Sequence, residues 1–192
     1  MKLFEMKLDE AAIANGVDAI SLVGSPAIES DFIALAKVPV QQFKLATVNT
    51  DKRIVMGAVL IPDKPILRLD EKGDPFHIYF KDDTIRAASE LFLKRGYQNS
   101  TTLEHEVKLQ GVNVVESWIV DDEAIDKTKL YNLDAPKNSW VVSMKIDNDE
   151  IWNSYVKTGK VKGFSIEGFF KPVEEKAAPK AKLKATILRK KK

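Results

Sequence analysis

Short apolar segments of strand length alternate along the chain with polar, turn-forming ones, and the pattern predicts a β-rich protein with two helices. Segments rich in β-branched and aromatic residues predict strands over Asp18–Val23, Arg53–Ile61, Phe76–Phe80, Gly111–Val120, Trp140–Ile146 and Lys162–Phe170. Several, such as Ile54-Val55-Met56-Gly57-Ala58-Val59-Leu60-Ile61, are nearly continuous apolar runs rather than clean alternations. Such runs suit strands covered on both faces, as when helices pack outside a barrel whose interior is already filled. They are also far shorter than the roughly 20 residues that a membrane-spanning helix needs, so no membrane is expected.

Helical spacing occurs twice. Over Asp83–Arg95 the residues Ile85, Ala88, Leu91 and Phe92 form one stripe, with Asp82-Asp83-Thr84 as capping candidates and Gly96 at the stop. Over Asp149–Thr158 the residues Ile151, Trp152, Tyr155 and Val156 form another, between Asp147 or Asn148 and Gly159. Loops are marked by Pro62-Asp63-Lys64-Pro65, Asp70-Glu71-Lys72-Gly73-Asp74-Pro75 and Asp134-Ala135-Pro136-Lys137-Asn138. The expected fold class is α+β, a small, mostly antiparallel β-barrel with flanking helices.

At 192 residues and 44% hydrophobic composition, the chain can bury one sizeable core. Its formal charge of +2 is unevenly spread, because residues 171–192 hold nine Lys/Arg against two Glu and leave the rest net acidic. This Lys-, Ala- and Pro-rich end has too few large apolar residues to offset its ordering entropy. One domain over residues 1–170, followed by a disordered basic tail over 171–192, is therefore expected. The absence of cysteine excludes disulfides, thiolate catalysis and Cys-based zinc sites, and two histidines without suitably spaced carboxylates do not suggest a metal. The first residues, Met1-Lys2-Leu3-Phe4-Glu5-Met6-Lys7, do not read as a signal peptide, and a cytosolic protein is expected.

The candidate chemistry lies in two places. Ser165 interrupts the strand-like run Lys160-Val161-Lys162-Gly163-Phe164-Ser165-Ile166-Glu167-Gly168-Phe169-Phe170, and His105 stands between two carboxylates in Thr101-Thr102-Leu103-Glu104-His105-Glu106-Val107. A hydroxyl nucleophile needs a base that is partly neutral near pH 7, which imidazole supplies, so the pair points to a serine hydrolase. His105 follows a polar segment entering a strand-like one, where scaffold-mounted catalytic residues tend to sit. His77, in Pro75-Phe76-His77-Ile78-Tyr79, reads instead as a strand histidine in or beside the core. Gly163 and Gly168 flank the serine and would let a bound peptide approach the backbone closely. The segment is not a Gly-x-Ser-x-Gly nucleophile elbow, because position 167 is Glu167.

These segments carry a family resemblance. Leu103-Glu104-His105-Glu106, Val115-Glu116-Ser117-Trp118-Ile119-Val120, Ser143-Met144-Lys145-Ile146 and Gly163-Phe164-Ser165-Ile166-Glu167-Gly168 resemble the XkdF-type serine proteases of tailed phages and prophages. Those in turn are similar to caudoviral prohead proteases and, more remotely, to herpesvirus assemblins. The resemblance covers nearly all of the chain except the tail, and it implies His105 as base and Ser165 as nucleophile. In related prohead proteases an acidic residue follows the serine, in a strand ahead of a Pro-Ala turn. Here the similar text, Val17-Asp18-Ala19-Ile20-Ser21-Leu22-Val23 with Pro26-Ala27, lies near the N-terminus, as though residues 16–28 were a circularly permuted element. Asp18 is thus the first candidate for orienting the imidazole, with Glu116 and Glu167 as rivals.

The resemblance further implies an assemblin-like architecture and a serine endopeptidase, without cofactor, that processes scaffold and head proteins during phage capsid maturation. Its setting would be the host bacterial cytoplasm, inside the assembling procapsid, with phage scaffold and capsid proteins as substrates. Self-cleavage and a homo-oligomer stay open. The alternative is a catalytically inactive scaffold or head-assembly protein of the same fold. A third reading is a nucleic-acid binder acting through the tail. Lysine-rich tails bind phosphate without sequence preference, and the body has no basic stripe with interleaved aromatics, so no specific nucleic-acid partner is expected.

Overall fold

The computed structural model describes residues 2–9, 15–26, 46–49 and 52–175. These form three four-stranded sheets. In spatial order the first holds β12 (Lys171–Glu174), β1 (Lys2–Lys7), β6 (Pro75–Phe80) and β5 (Ile66–Leu69). The second holds β3 (Ala46–Asn49), β4 (Ile54–Leu60), β10 (Trp140–Ile146) and β9 (Val112–Ile119). The third holds β11 (Gly163–Phe169), β2 (Gly16–Val23), β7 (Thr101–Leu103) and β8 (Val107–Lys108). Neighbours run antiparallel except for β1 with β6 and β2 with β7, which are parallel.

The α+β class holds, but the expected barrel does not. Among the described residues each sheet ends in strands paired on one side only, so the ladders do not close. The continuous apolar runs are nonetheless buried on both faces, as β4 and β10 show. One face joins the main core through Val55, Val142 and Met144, and the other lies under the segment 120–135, where Met56 and Val141 meet Val120, Leu133 and Ala135. A loop with one short helix, α2 (Lys127–Leu130), therefore does the covering that the sequence assigned to flanking helices.

The long helix, α1 (Asp82–Lys94), buries Ile85, Ala88 and Phe92, and the Phe92 ring meets Trp140 edge-on at 5.5 Å. Asp82 and Asp83 lie in its first turn and not at the cap, which is Lys81 without a side-chain bond. Acidic groups there favour the positive end of the helix dipole. Gly96, at φ 73°, supplies the left-handed residue that stops it. The second predicted helix is shorter and wider than its spacing suggested. After α3 (Asp149–Ile151), capped by Asn148, residues 152–156 form a π turn closed by Lys157 N–H donating to the Trp152 carbonyl at 3.0 Å. The extra residue per turn still leaves Ile151 and Trp152 buried, with Tyr155 and Val156 packed against the core.

The tail boundary also moves. Residues 171–174 are a strand, β12, paired with β1, and Glu175 accepts a 2.7 Å bond from the Tyr79 hydroxyl. Burial, then the neighbouring Glu175 carboxylate, pushes the Tyr79 phenol well above its ordinary range, so it stays a donor. Pairing and this bond order a segment whose composition alone reads as unstructured. Residues 176–192 of the predicted tail lie outside the described residues.

Candidate active site

The third sheet assembles the site. Ser165 on β11 lies opposite Ser21 on β2, and Ser21 lies opposite Thr102 on β7, so one row crosses three strands. Paired residues project to the same side of a sheet, and residues two apart on a strand share that side. Glu167, paired with Ala19, therefore joins Ser165, Ser21 and Thr102 on the outer face. The intervening residues face inward: Phe164, Leu22 and Leu103 form one buried row, and Ile20 and Thr101 lie in the next, beside Ile166. This alternation, driven by core burial, puts the polar row on the face opposite the main core, where Ser21 and Ser165 are buried and Thr102 and Glu167 half-buried.

His105 reaches the row from the turn after β7. Glu104 and His105 both have positive φ, at 50° and 61°, and Glu106 N–H donates to the Leu103 carbonyl at 3.0 Å. Two consecutive left-handed residues are the signature of a tight hairpin turn that glycine and asparagine favour, and neither is present. Each ordinary residue held so costs of order 1 kcal/mol or more, which persists only where the surroundings enforce it. Here β2 enforces it. Ser21 Oγ accepts the His105 backbone N–H at 3.0 Å, and Glu104 Oε1 accepts Gly24 N–H at 2.7 Å. A side chain at position 24 would stand 2.7 Å from the Lys160 carbonyl, so only glycine fits there.

The imidazole of His105 lies 3.2 Å, through Nδ1, from Glu167 Oε1. Ionised carboxylate oxygens only accept, so this contact places a proton on Nδ1 and leaves Nε2 as the ring's basic nitrogen. The Thr102 hydroxyl donates to the same Oε1 and holds the carboxylate in place. Ser165 is 7% exposed, whereas the His105 and Glu167 side chains retain 40% and 34% exposure.

The three carboxylates considered for the imidazole separate clearly. Asp18 is the extra residue of a β-bulge opposite Glu167 and Gly168, and its carboxylate lies 4.0 Å from the Arg95 guanidinium. It is not the acid beside His105, because the bulge and Arg95 direct it to α1. Glu116, on β9, pairs with Lys127, whose ammonium holds its carboxyl below the usual range. Glu167 is the acid brought to the ring.

The two glycines flanking Ser165 have internal uses that differ from the peptide approach expected of them. A side chain at Gly163 would stand 2.6 Å from Pro26, and one at Gly168 would stand 2.0 Å from the Gly16 carbonyl at the bulge. His77 sits half-buried on β6, between Leu3 of β1 and Leu67 of β5. Thr102 and Ser21 escaped the sequence reading as members of the site. The available signal was a lone serine within the apolar end of one strand and the Thr101-Thr102 pair ahead of the histidine. Among the described residues no group of acidic or histidine side chains is suited to a metal ion, and no helix is long and apolar enough to cross a membrane.

Ser165, His105 and Glu167 thus lie about one face of the third sheet, with the imidazole in contact with Glu167. The family described as "putative phage serine protease XkdF" matches residues 42–174, and the chain belongs to that family. The match includes β7 with its histidine turn and β11, and it begins after β1 and β2. No curated protein and no solved structure matches the chain.

Proposed function

We propose that this protein is a serine endopeptidase that processes scaffold and head proteins during phage capsid maturation. Membership of a phage serine protease family supports the reaction class. The observation that carries the residue roles is the 3.2 Å contact of His105 Nδ1 with Glu167, on the face that bears Ser165.

In this reading Ser165 Oγ attacks the scissile carbonyl while its proton passes to His105 Nε2. The tetrahedral intermediate collapses as the C–N bond breaks and the imidazolium returns the proton to the leaving amine. Water then attacks the acyl-enzyme ester by the same base, releasing the acid and restoring the hydroxyl. Glu167 keeps the Nδ1 tautomer and balances the imidazolium charge, and Thr102 and Ser21 position acid and base. Incubation with the cognate scaffold and capsid proteins should yield defined fragments with the wild type and none with Ser165→Ala or His105→Ala. Intact head proteins after incubation with folded wild-type enzyme would count against the reading.

A further inference from the structure

A cavity of about 350 Å³ borders the β11 strand that carries Ser165. Six consecutive residues, Ser165–Phe170, line it, the first five of them on β11. The face of a strand contributes only every second residue, so the cavity meets β11 along its edge. Among the described residues that edge is paired with no strand, because β11 ends its sheet and its partner β2 lies on the other side. Across the cavity stands β5, the end strand of the first sheet, which contributes Ile66 and Arg68. The walls are otherwise mainly apolar: Met6, Val59, Ile78 and Phe80. A cavity of about 150 Å³ with such walls already holds a benzene ring.

We propose that this slot is the substrate channel: an extended peptide adds as a strand to the free edge of β11 and places one bulky apolar side chain in the cavity. This rests on the protease reading and supplies its substrate class. An open edge gives sequence-independent affinity through main-chain hydrogen bonds, and the pocket beside it selects the side chain. Proximity of the slot to Ser165 and Glu167 on the same strand brings the bound backbone to the reacting groups.

The test measures binding apart from cleavage. Blocked hexapeptides that carry one phenylalanine, leucine, aspartate or lysine at the same central position are titrated into Ser165→Ala protein. The phenylalanine and leucine peptides should bind roughly tenfold or more tightly than the charged ones, as burial of a large apolar group predicts. N-methylation of alternate backbone amides should weaken the phenylalanine peptide, and Ile78→Trp, which fills the cavity from half-buried β6, should abolish its advantage. Should that variant not fold, the N-methyl series on the Ser165→Ala protein decides alone. Equal binding of all four peptides, or indifference to N-methylation, overturns the proposal. Selective binding without cleavage by the wild type would sink the protease reading and leave the channel standing. Cleavage without apolar preference would do the reverse.

Discussion

His105 sits in a turn with left-handed backbone. An ordinary residue held at φ 61° is strained, and glycine relieves that strain. His105→Gly should therefore be more stable than His105→Ala by roughly 0.5–1 kcal/mol, the inverse of the usual order, with both inactive. Urea unfolding of the two variants checks this, and an alanine variant of equal or greater stability would mean that the turn is not strained. The acid assignment makes a second prediction. Glu167→Gln should reduce turnover by about two to four orders of magnitude, because the tautomer and the charge balance are lost, whereas Asp18→Asn should leave it near wild type. Peptide-cleavage rates of the two variants decide between them. Ser165→Ala combined with His105→Ala should be scarcely worse than either alone, since the groups act as one unit.

At the scale of elements, two charged contacts tie distant segments together. Glu116 on β9 is held below its ordinary range first by Lys127 of α2. The depressed value means that the pair stabilises the fold above the unfolded carboxyl's pKa and ceases to do so as pH falls through the folded one. Glu116→Gln should therefore flatten the acid limb of stability against pH while leaving cleavage intact, which thermal melts from pH 7 downward would reveal. An unchanged acid limb would mean that solvent screens the exposed pair completely. At the C-terminal end, β12 is ordered by β1 and by the Tyr79–Glu175 bond. Truncation after Phe170 should lower the melting temperature distinctly, and Tyr79→Phe should cost about 1.5–3 kcal/mol, the range for hydrogen bonds to charged groups. A truncated protein that melts like wild type would show that β12 contributes nothing to the body.

The elements that the sequence revealed are those whose signal is local. Trp140–Ile146 was predicted with its observed bounds, and β4 and β11 to within about a residue, because β-branched residues and burial leave a continuous apolar trace. Strand β12 left none: all four of its residues are exposed, and Pro172 is tolerated because the strand lies at a sheet edge. Its order comes from partners distant in sequence.

For the whole molecule, Ser165 and His105 stood out by residue type and resemblance, yet the carboxylate that lies beside the imidazole did not. Choosing Glu167 over Asp18 requires the β11–β2 register, the bulge that directs Asp18 to Arg95, and the turn that swings His105 over the outer face. None of these is a property of neighbouring letters. That the ladders of the described residues do not close into a barrel has the same origin, since closure depends on which edges meet.

The central claim is that Ser165 is a nucleophile activated by His105 and Glu167. A fluorophosphonate probe tests it without knowledge of the substrate, because it labels an activated serine irreversibly. Intact-mass analysis with peptide mapping should find one adduct on Ser165 in the wild type, none in Ser165→Ala, and labelling slowed by orders of magnitude in His105→Ala and Glu167→Gln. An unlabelled, folded wild-type protein, or equal labelling rates in wild type and His105→Ala, would contradict the account.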